Sequence, residues 1–321
     1  MAPPALPQEM NPAALQSSDS ANEFPVIDLQ GAHEEVVKQI REACIGWGGF
    51  QIVNHGVPPA LMERMRQMAK EFFALPVEEK WKHSASSPTT TVDLFHGYGT
   101  KEFGTKGALD LGDQLRHKTW PLSARAYEQW PTYPASFRDT EEEYLQQQEK
   151  LCQHLMELIS ESLGLNPSYL NDFFGEDYQQ TFLVNHYPPH PDPTCTVGIQ
   201  KHSDFSGLTI LMQNVEGLQF IKDGEWIMAK VIPDAYVINL GDQIEILTNG
   251  LYKSPEHRSL LNYAERFTIM SFASPPDAKV VGPMAEFVTK SRPIYKTRTY
   301  AQYRTEVMTI PHMAKALVAD A

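Results

Sequence analysis

This sequence predicts a mixed α and β protein, with a helical N-terminal part packed against an all-β C-terminal core. Two observations carry that prediction. The first half holds long stretches whose apolar residues recur at helical spacing. From Thr181 onward, short apolar and β-branched runs alternate with turns, and many short strands at regular spacing argue for a sandwich or jelly roll. With 321 residues and 42% apolar content, the chain has material for one large domain or two modest ones.

The elements follow in order. Met1 to Asn22 carries Pro3, Pro4, Pro7, Pro12 and a Ser-rich patch, and it reads as a disordered tail. It lacks the basic and apolar regions of a signal peptide. Pro25-Val26-Ile27-Asp28-Leu29 reads as a short strand. Val36, Val37, Ile40, Cys44 and Trp47 form a helical stripe, ended by Gly46, Gly48 and Gly49. Phe50-Gln51-Ile52-Val53 reads as a strand, and Pro58 and Pro59 open a helix with Leu61, Met65, Met68, Phe72 and Phe73 on its apolar face. Ser84 to Gly112 is polar and aperiodic, a long loop of the kind that serves as a lid or binding loop or is plain surface slack. Phe137 to Leu165 gives the strongest helical pattern, ended by Gly164, and Asn166-Pro167 caps a further short helix. The strand-like runs are Thr181 to Tyr187, Leu208 to Gln213, Leu218 to Ile221, Trp226 to Val231, Ala235 to Leu240 and Phe267 to Ala273. Asp223-Gly224 supplies a hairpin turn between two of them.

A net charge of −13 repels phosphate backbones and anionic lipid, so neither nucleic acid nor a membrane surface is an expected partner. No stretch has the apolar length of a membrane span. Cys44, Cys152 and Cys195 are odd in number and widely spaced, which fits packed thiols in a reducing cytoplasm better than a disulfide framework.

His202-Ser203-Asp204 sets an imidazole and a carboxylate two residues apart. On extended backbone both leave the same face and can take adjacent positions on one metal. His257 is the leading candidate for a third ligand. Two His and one carboxylate leave positions open on a six-coordinate ion, which suits non-haem Fe(II), although a catalytic zinc with water uses the same ligand types. A chain with 11 His meets His-x-Asp by chance about as often as not, and the bland reading is a surface His beside a solvated Asp. The neighbours add the weight. Arg266-Phe267-Thr268, in a β-like run, offers a guanidinium and a hydroxyl on one face, able to grip the far carboxylate of a dicarboxylate. Asn185-His186-Tyr187-Pro188-Pro189 adds hydrogen-bonding groups, Asn185 and Tyr187, toward the same cavity.

These motifs, with Phe24-Pro25-Val26-Ile27-Asp28-Leu29, Trp47-Gly48-Gly49-Phe50-Gln51-Ile52-Val53-Asn54-His55-Gly56-Val57, the run from His202 to Leu211, the run from Gly241 to Gly250, Tyr252-Lys253-Ser254 and His257-Arg258, resemble the plant-type Fe(II)/2-oxoglutarate-dependent dioxygenases over nearly the whole ordered chain. The resemblance implies a double-stranded β-helix (jelly-roll) core with N-terminal and flanking helices. It divides the chain into a disordered tail (1–22), a helical region with a few strands (23–175), the oxygenase domain (176–300) and a C-terminal helix or tail (301–321). It implies iron held by His202, Asp204 and His257, with Arg266 and Thr268 on the distal carboxylate of 2-oxoglutarate and Asn185 and Tyr187 nearby. The family usually has Ser where this chain has Thr268, and the step from His257 to Arg266 is one residue shorter than usual, as if a turn were trimmed. The implied reaction uses O₂, converts 2-oxoglutarate to succinate and CO₂, and hydroxylates or desaturates a small molecule. Ascorbate is the expected reductant and a cytoplasmic monomer the expected form.

Within the family, the block from Asp113 to Pro121 resembles the substrate-contacting segment of flavonol synthase, anthocyanidin synthase and flavone synthase. That implies His117 bonding a phenolic oxygen and Phe272 stacking on a flat ring. Leu183 and Ser274 stand where some of those enzymes have Lys and Glu, so the pocket is expected to favour a flavanone or another apolar scaffold such as a gibberellin or auxin. An inactive ligand-binding relative is disfavoured by the complete set of His202, Asp204, His257 and Arg266. An iron oxidase without 2-oxoglutarate is disfavoured by Arg266 and Thr268.

Overall fold

The computed structural model describes residues 23–84, 96–100, 111–192, 197–288 and 292–309. The expected N-terminal tail, most of the Ser84 to Gly112 loop, Cys195 and the end of the chain lie outside the described residues. Strand β1 (Val26–Asp28) leads into α1 (His33–Gly46), β2 (Gly49–Val53), α2 (Pro59–Phe73) and the short α3 (Val77–Trp81). Strands β3 (Gly97–Thr100) and β4 (Asp113–Trp120) precede the long α4 (Phe137–Ser162) and the short α5 (Tyr169–Phe174). The β-rich half comprises β5 (Gln179–Tyr187), β6 (Val197–His202), β7 (Leu208–Gln213), β8 (Leu218–Lys222), β9 (Glu225–Met228), β10 (Tyr236–Leu240), α6 (Asp242–Leu247), β11 (His257–Leu260) and β12 (Arg266–Ser274). Strand β13 (Val280–Val281), helix α7 (Ala285–Val288), strand β14 (Arg298–Thr299) and helix α8 (Tyr300–Thr309) complete it.

Local sequence explains most of these elements. Helix α4 buries Tyr144, Leu145, Leu151, Leu155, Leu158 and Ile159 on one stripe. Pro59 opens α2, whose buried face includes Leu61, Met65, Phe72 and Phe73. Asp223 and Gly224 both have positive φ (51° and 87°), the two-residue hairpin geometry between β8 and β9. Gly48 turns the chain from α1 into β2 at φ 75°, and a Cβ there would stand 2.3 Å from the Lys253 carbonyl oxygen. Two details differ from expectation. Ser168 rather than Asn166 is the residue before α5; Asn166 instead accepts a hydrogen bond from the Ser168 amide at 3.0 Å. The stretch that reads as an aperiodic loop contains β3, held by antiparallel pairing with β4 rather than by any pattern of its own.

The strands form an eight-stranded sheet in the order β1-β2-β10-β7-β12-β5-β4-β3, a four-stranded sheet in the order β6-β11-β8-β9, and a small β13-β14 pair. One apolar cluster joins α1, α2 and α4 to the outer face of the large sheet through residues such as Phe182, Val184, Ile210, Ile238 and Ile269. A second cluster lies between the two sheets. It takes Leu183, Leu211, Val237 and Met270 from the large sheet and Leu218 and Phe220 from the small one. Two sheets closing on a shared interior give the jelly roll. No helix among the described residues is long and apolar enough to cross a membrane.

Candidate functional site

His202 and His257 face each other across the antiparallel pairing of β6 and β11, with ring centroids 4.2 Å apart. His257 also stands opposite Phe220 of β8, whose ring lies 5.6 Å away, so it looks into the space between the sheets. Backbone oxygens fix the rings. His202 Nδ1 lies 2.7 Å from the Gln200 carbonyl oxygen and His257 Nδ1 lies 3.0 Å from that of Pro255. An Nδ1–H donated to a carbonyl leaves Nε2 as the lone-pair nitrogen, the tautomer a metal needs. Asp204 lies just past the end of β6. Its Oδ2 accepts from the Thr209 hydroxyl at 2.6 Å. Its Oδ1 lies 3.8 Å from His202 Nε2 and 3.6 Å from His257 Nε2. Ligand atoms of the three side chains all fall within 4.8 Å of one another, a donor set that fits one divalent ion with open positions.

Helix α6 braces this group from behind. The Asp242 amide donates to the Asp204 carbonyl oxygen at 2.8 Å and the Gln243 amide to that of Ser206 at 3.1 Å. Burial pushes the Asp242 carboxyl up to about 6 against the pull of nearby hydroxyls, and Tyr303 donates to it at 2.7 Å. Gly241 passes so close that a Cβ would sit 2.0 Å from the Ser206 carbonyl oxygen.

A buried cation lies on the opposite wall. Arg266 is 0% exposed, and its guanidinium reaches only neutral acceptors among the described residues: Val215 O at 3.1 Å, Gln213 Oε1 at 3.4 Å and Ser259 Oγ at 3.5 Å. It lies 5.0 Å over the Tyr187 ring. Burial lowers its pKa and raises that of the Tyr187 phenol. A desolvated guanidinium without a carboxylate is costly, so this position fits a ligand that brings one. Register extends the polar surface: Arg266 is opposite Tyr187, and Thr268 is opposite both Asn185 and Gln213. Asn185 donates to Thr268 Oγ1 at 3.3 Å, while its buried Oδ1 has no partner among the described residues. A 2-oxoglutarate distal carboxylate suits these donors.

Period-2 alternation puts Arg266, Thr268, Met270, Phe272 and Ser274 of β12 on one face, with Leu183 opposite Met270. Leu183 is buried in the cluster between the sheets, and Phe272 is half-buried against it. Ser274 is buried beside the Tyr300 hydroxyl of α8. His117 is the correction. It pairs in register with Phe182, on the outer face of the large sheet, and is only 1% exposed. Its ring stacks 4.9 Å from Trp130, and its Nδ1 lies 2.7 Å from Glu141 Oε1 on α4. It faces the helices, one residue out of phase with the interior. Thr209, Gln213 and Ser259 are additions to the expected set; Thr209 and Gln213 share a β7 face with Leu211, so alternation along that strand was the available signal.

Comparison with known proteins agrees with this geometry. Residues 24–133 match the family described as non-haem dioxygenase in morphine synthesis N-terminal, and residues 178–275 match the 2OG-Fe(II) oxygenase superfamily. Jasmonate-induced oxygenase 4 of Arabidopsis thaliana is 40% identical, covering 90% of this chain and 83% of its own. A flavonol synthase/flavanone 3-hydroxylase of Eustoma exaltatum subsp. russellianum is 38% identical, covering 88% and 85%. The crystal structure of JOX2 in complex with 2OG, Fe and JA superposes with a TM-score of 0.85 at 36% identity, covering 93% of this chain and 90% of that one.

Proposed function

Because this chain belongs to the plant-type Fe(II)/2-oxoglutarate-dependent oxygenases, we propose that it hydroxylates or desaturates a small plant-type metabolite between its two sheets. In this reading His202, Asp204 and His257 hold the iron, and Arg266, Thr268, Asn185 and Tyr187 hold 2-oxoglutarate. The observation that carries it is the juxtaposition of three ligand atoms within 4.8 Å with a fully buried Arg266 that lacks a carboxylate partner among the described residues. Bound iron supplies the oxidising chemistry from O₂ and 2-oxoglutarate. The chain's own residues do the positioning. Backbone carbonyls hold the two imidazoles in the binding tautomer, Thr209 orients Asp204, and Arg266 fixes one end of the cosubstrate by charge-assisted bonds. Leu183, Met270 and Leu211 exclude water from the reacting face.

For the substrate, the first reading is a flavonoid such as a flavanone. Its support is Phe272, half-buried on the interior face where a flat ring can stack, and the likeness to a flavonol synthase. The second reading is an acidic hormone, supported by the likeness to proteins named as jasmonate-induced oxygenases. The test is incubation with Fe(II), ascorbate, 2-oxoglutarate and a panel of flavanones, gibberellins, auxins and jasmonates, following succinate and product mass together. Substrate-dependent succinate with a hydroxylated or dehydrogenated product is expected. Failure of every flavanone removes the first reading; succinate that appears without 2-oxoglutarate dependence removes both.

A further inference from the structure

Arg116 occupies the interior position that His117 does not. In the β4–β5 pairing Arg116 stands opposite Leu183, and the same row continues across the sheet as Met270, Leu211 and Val237. Directly opposed residues in an antiparallel pair share a face. Since Leu183, Leu211, Val237 and Met270 form the cluster between the sheets, Arg116 enters that space at the end of an apolar row. The adjacent row on one side is the polar one of Gln114, Asn185, Thr268 and Gln213. The row on the other side runs through Lys118, Thr181, Phe272 and Thr209. Arg116 therefore stands between the cosubstrate donors and the aromatic wall.

Among the described residues its charge is unanswered. Arg116 is half-buried, its Nε is fully buried with no partner, and no described residue forms a hydrogen bond or ion pair with it. Burial pushes the guanidinium down to about 10, the Tyr300 hydroxyl being the neighbour that counters this. Arg266 lies on a different row and suits the cosubstrate, and Lys118, two residues along the same face, has an interaction of its own, so among the described residues Arg116 is the cation left to meet a second anion.

We propose that Arg116 binds a carboxylate on the oxidised substrate, making the preferred substrate class a small, mainly apolar carboxylic acid. The carboxylate meets the guanidinium while the hydrocarbon part lies along Leu183, Met270 and Leu211 toward the metal. This deepens the preceding reading and rests on the substrate binding between the two sheets. It favours the acidic substrate over the neutral flavanone, because a neutral ring would cover a half-buried guanidinium without bringing a counter-charge.

The test is binding of phenylpropionate, octanoate and dodecanoate, each against its methyl ester, to the anaerobic Fe(II)- and 2-oxoglutarate-loaded enzyme. Wild-type protein is expected to bind at least one acid about ten- to a hundredfold tighter than its ester, the effect of one charge-assisted pair. Arg116→Gln abolishes that preference and Arg116→Lys keeps part of it, with 2-oxoglutarate affinity unchanged in both. Arg116→Met and thermal melts of all variants separate loss of binding from loss of folding. Equal binding of acids and esters, no binding of any acid, or a preference that survives Arg116→Gln overturns the proposal. A fall in 2-oxoglutarate affinity alone overturns it too, by assigning Arg116 to the cosubstrate. Selective acid binding without any succinate-forming turnover would count against the oxygenase reading while leaving the Arg116 site standing.

Discussion

Asp204 divides its two oxygens. Oδ2 takes the Thr209 hydroxyl, and Oδ1 is turned to the two imidazole nitrogens. Removing the hydroxyl frees the carboxylate to rotate, and losing such a support typically costs about 10–100-fold in metal affinity. Thr209→Val is therefore expected to weaken Fe(II) binding by that order in an anaerobic titration, with Thr209→Ser restoring it; unchanged affinity in Thr209→Val would show that Asp204 is held by other contacts. At this scale the sequence was informative where a residue's chemistry is distinctive and silent where parity decides. His202, Asp204, His257 and Arg266 stand out by type. His117 and Arg116 are neighbours, both able to bind a substrate, and only the pairing of β4 with β5 says which one enters the interior.

Among elements, legibility followed propensity. Strands β7, β10 and β12 are fully buried or nearly so and read as strands from their β-branched and apolar content. Strands β6 and β11, which carry His202 and His257, have the sequences VGIQKH and HRSL and give no strand signal of their own. Pairing makes them strands: β6 with β11, and β11 also with β8. Helix α6 has six residues, too few for a period to register, yet it braces the turn after Asp204. That bracing depends on the bare backbone of Gly241. In Gly241→Ala the new Cβ would meet the Ser206 carbonyl oxygen at 2.0 Å, so backbone must shift. The variant is expected to melt at a lower temperature and bind Fe(II) more weakly, whereas Gly46→Ala, where a Cβ meets nothing within 4 Å and φ is negative, leaves Fe(II) binding intact. Equal metal affinity in Gly241→Ala and wild type would separate α6 from the metal site.

At the scale of the molecule, the site spans the two sheets. The small sheet brings His202 and His257, and the large sheet brings Arg266, Thr268 and Asn185. The jelly-roll class was legible because short strands at regular spacing leave few ways to bury both faces. The substrate was less legible, since its contacts come from strands distant in sequence and from the register between them. In the proposed function, metal and cosubstrate bind as one unit across this interior, which makes 2-oxoglutarate binding depend on both walls. The most direct measurement is an anaerobic calorimetric titration of 2-oxoglutarate into the protein with and without Fe(II), repeated for His257→Ala and Arg266→Ala. One 2-oxoglutarate per iron is expected in the wild type, with little binding without iron or in His257→Ala, and a loss of about tenfold or more in Arg266→Ala, the value of one or more charge-assisted bonds. Equal affinity with and without iron, or in Arg266→Ala, would contradict binding as one unit.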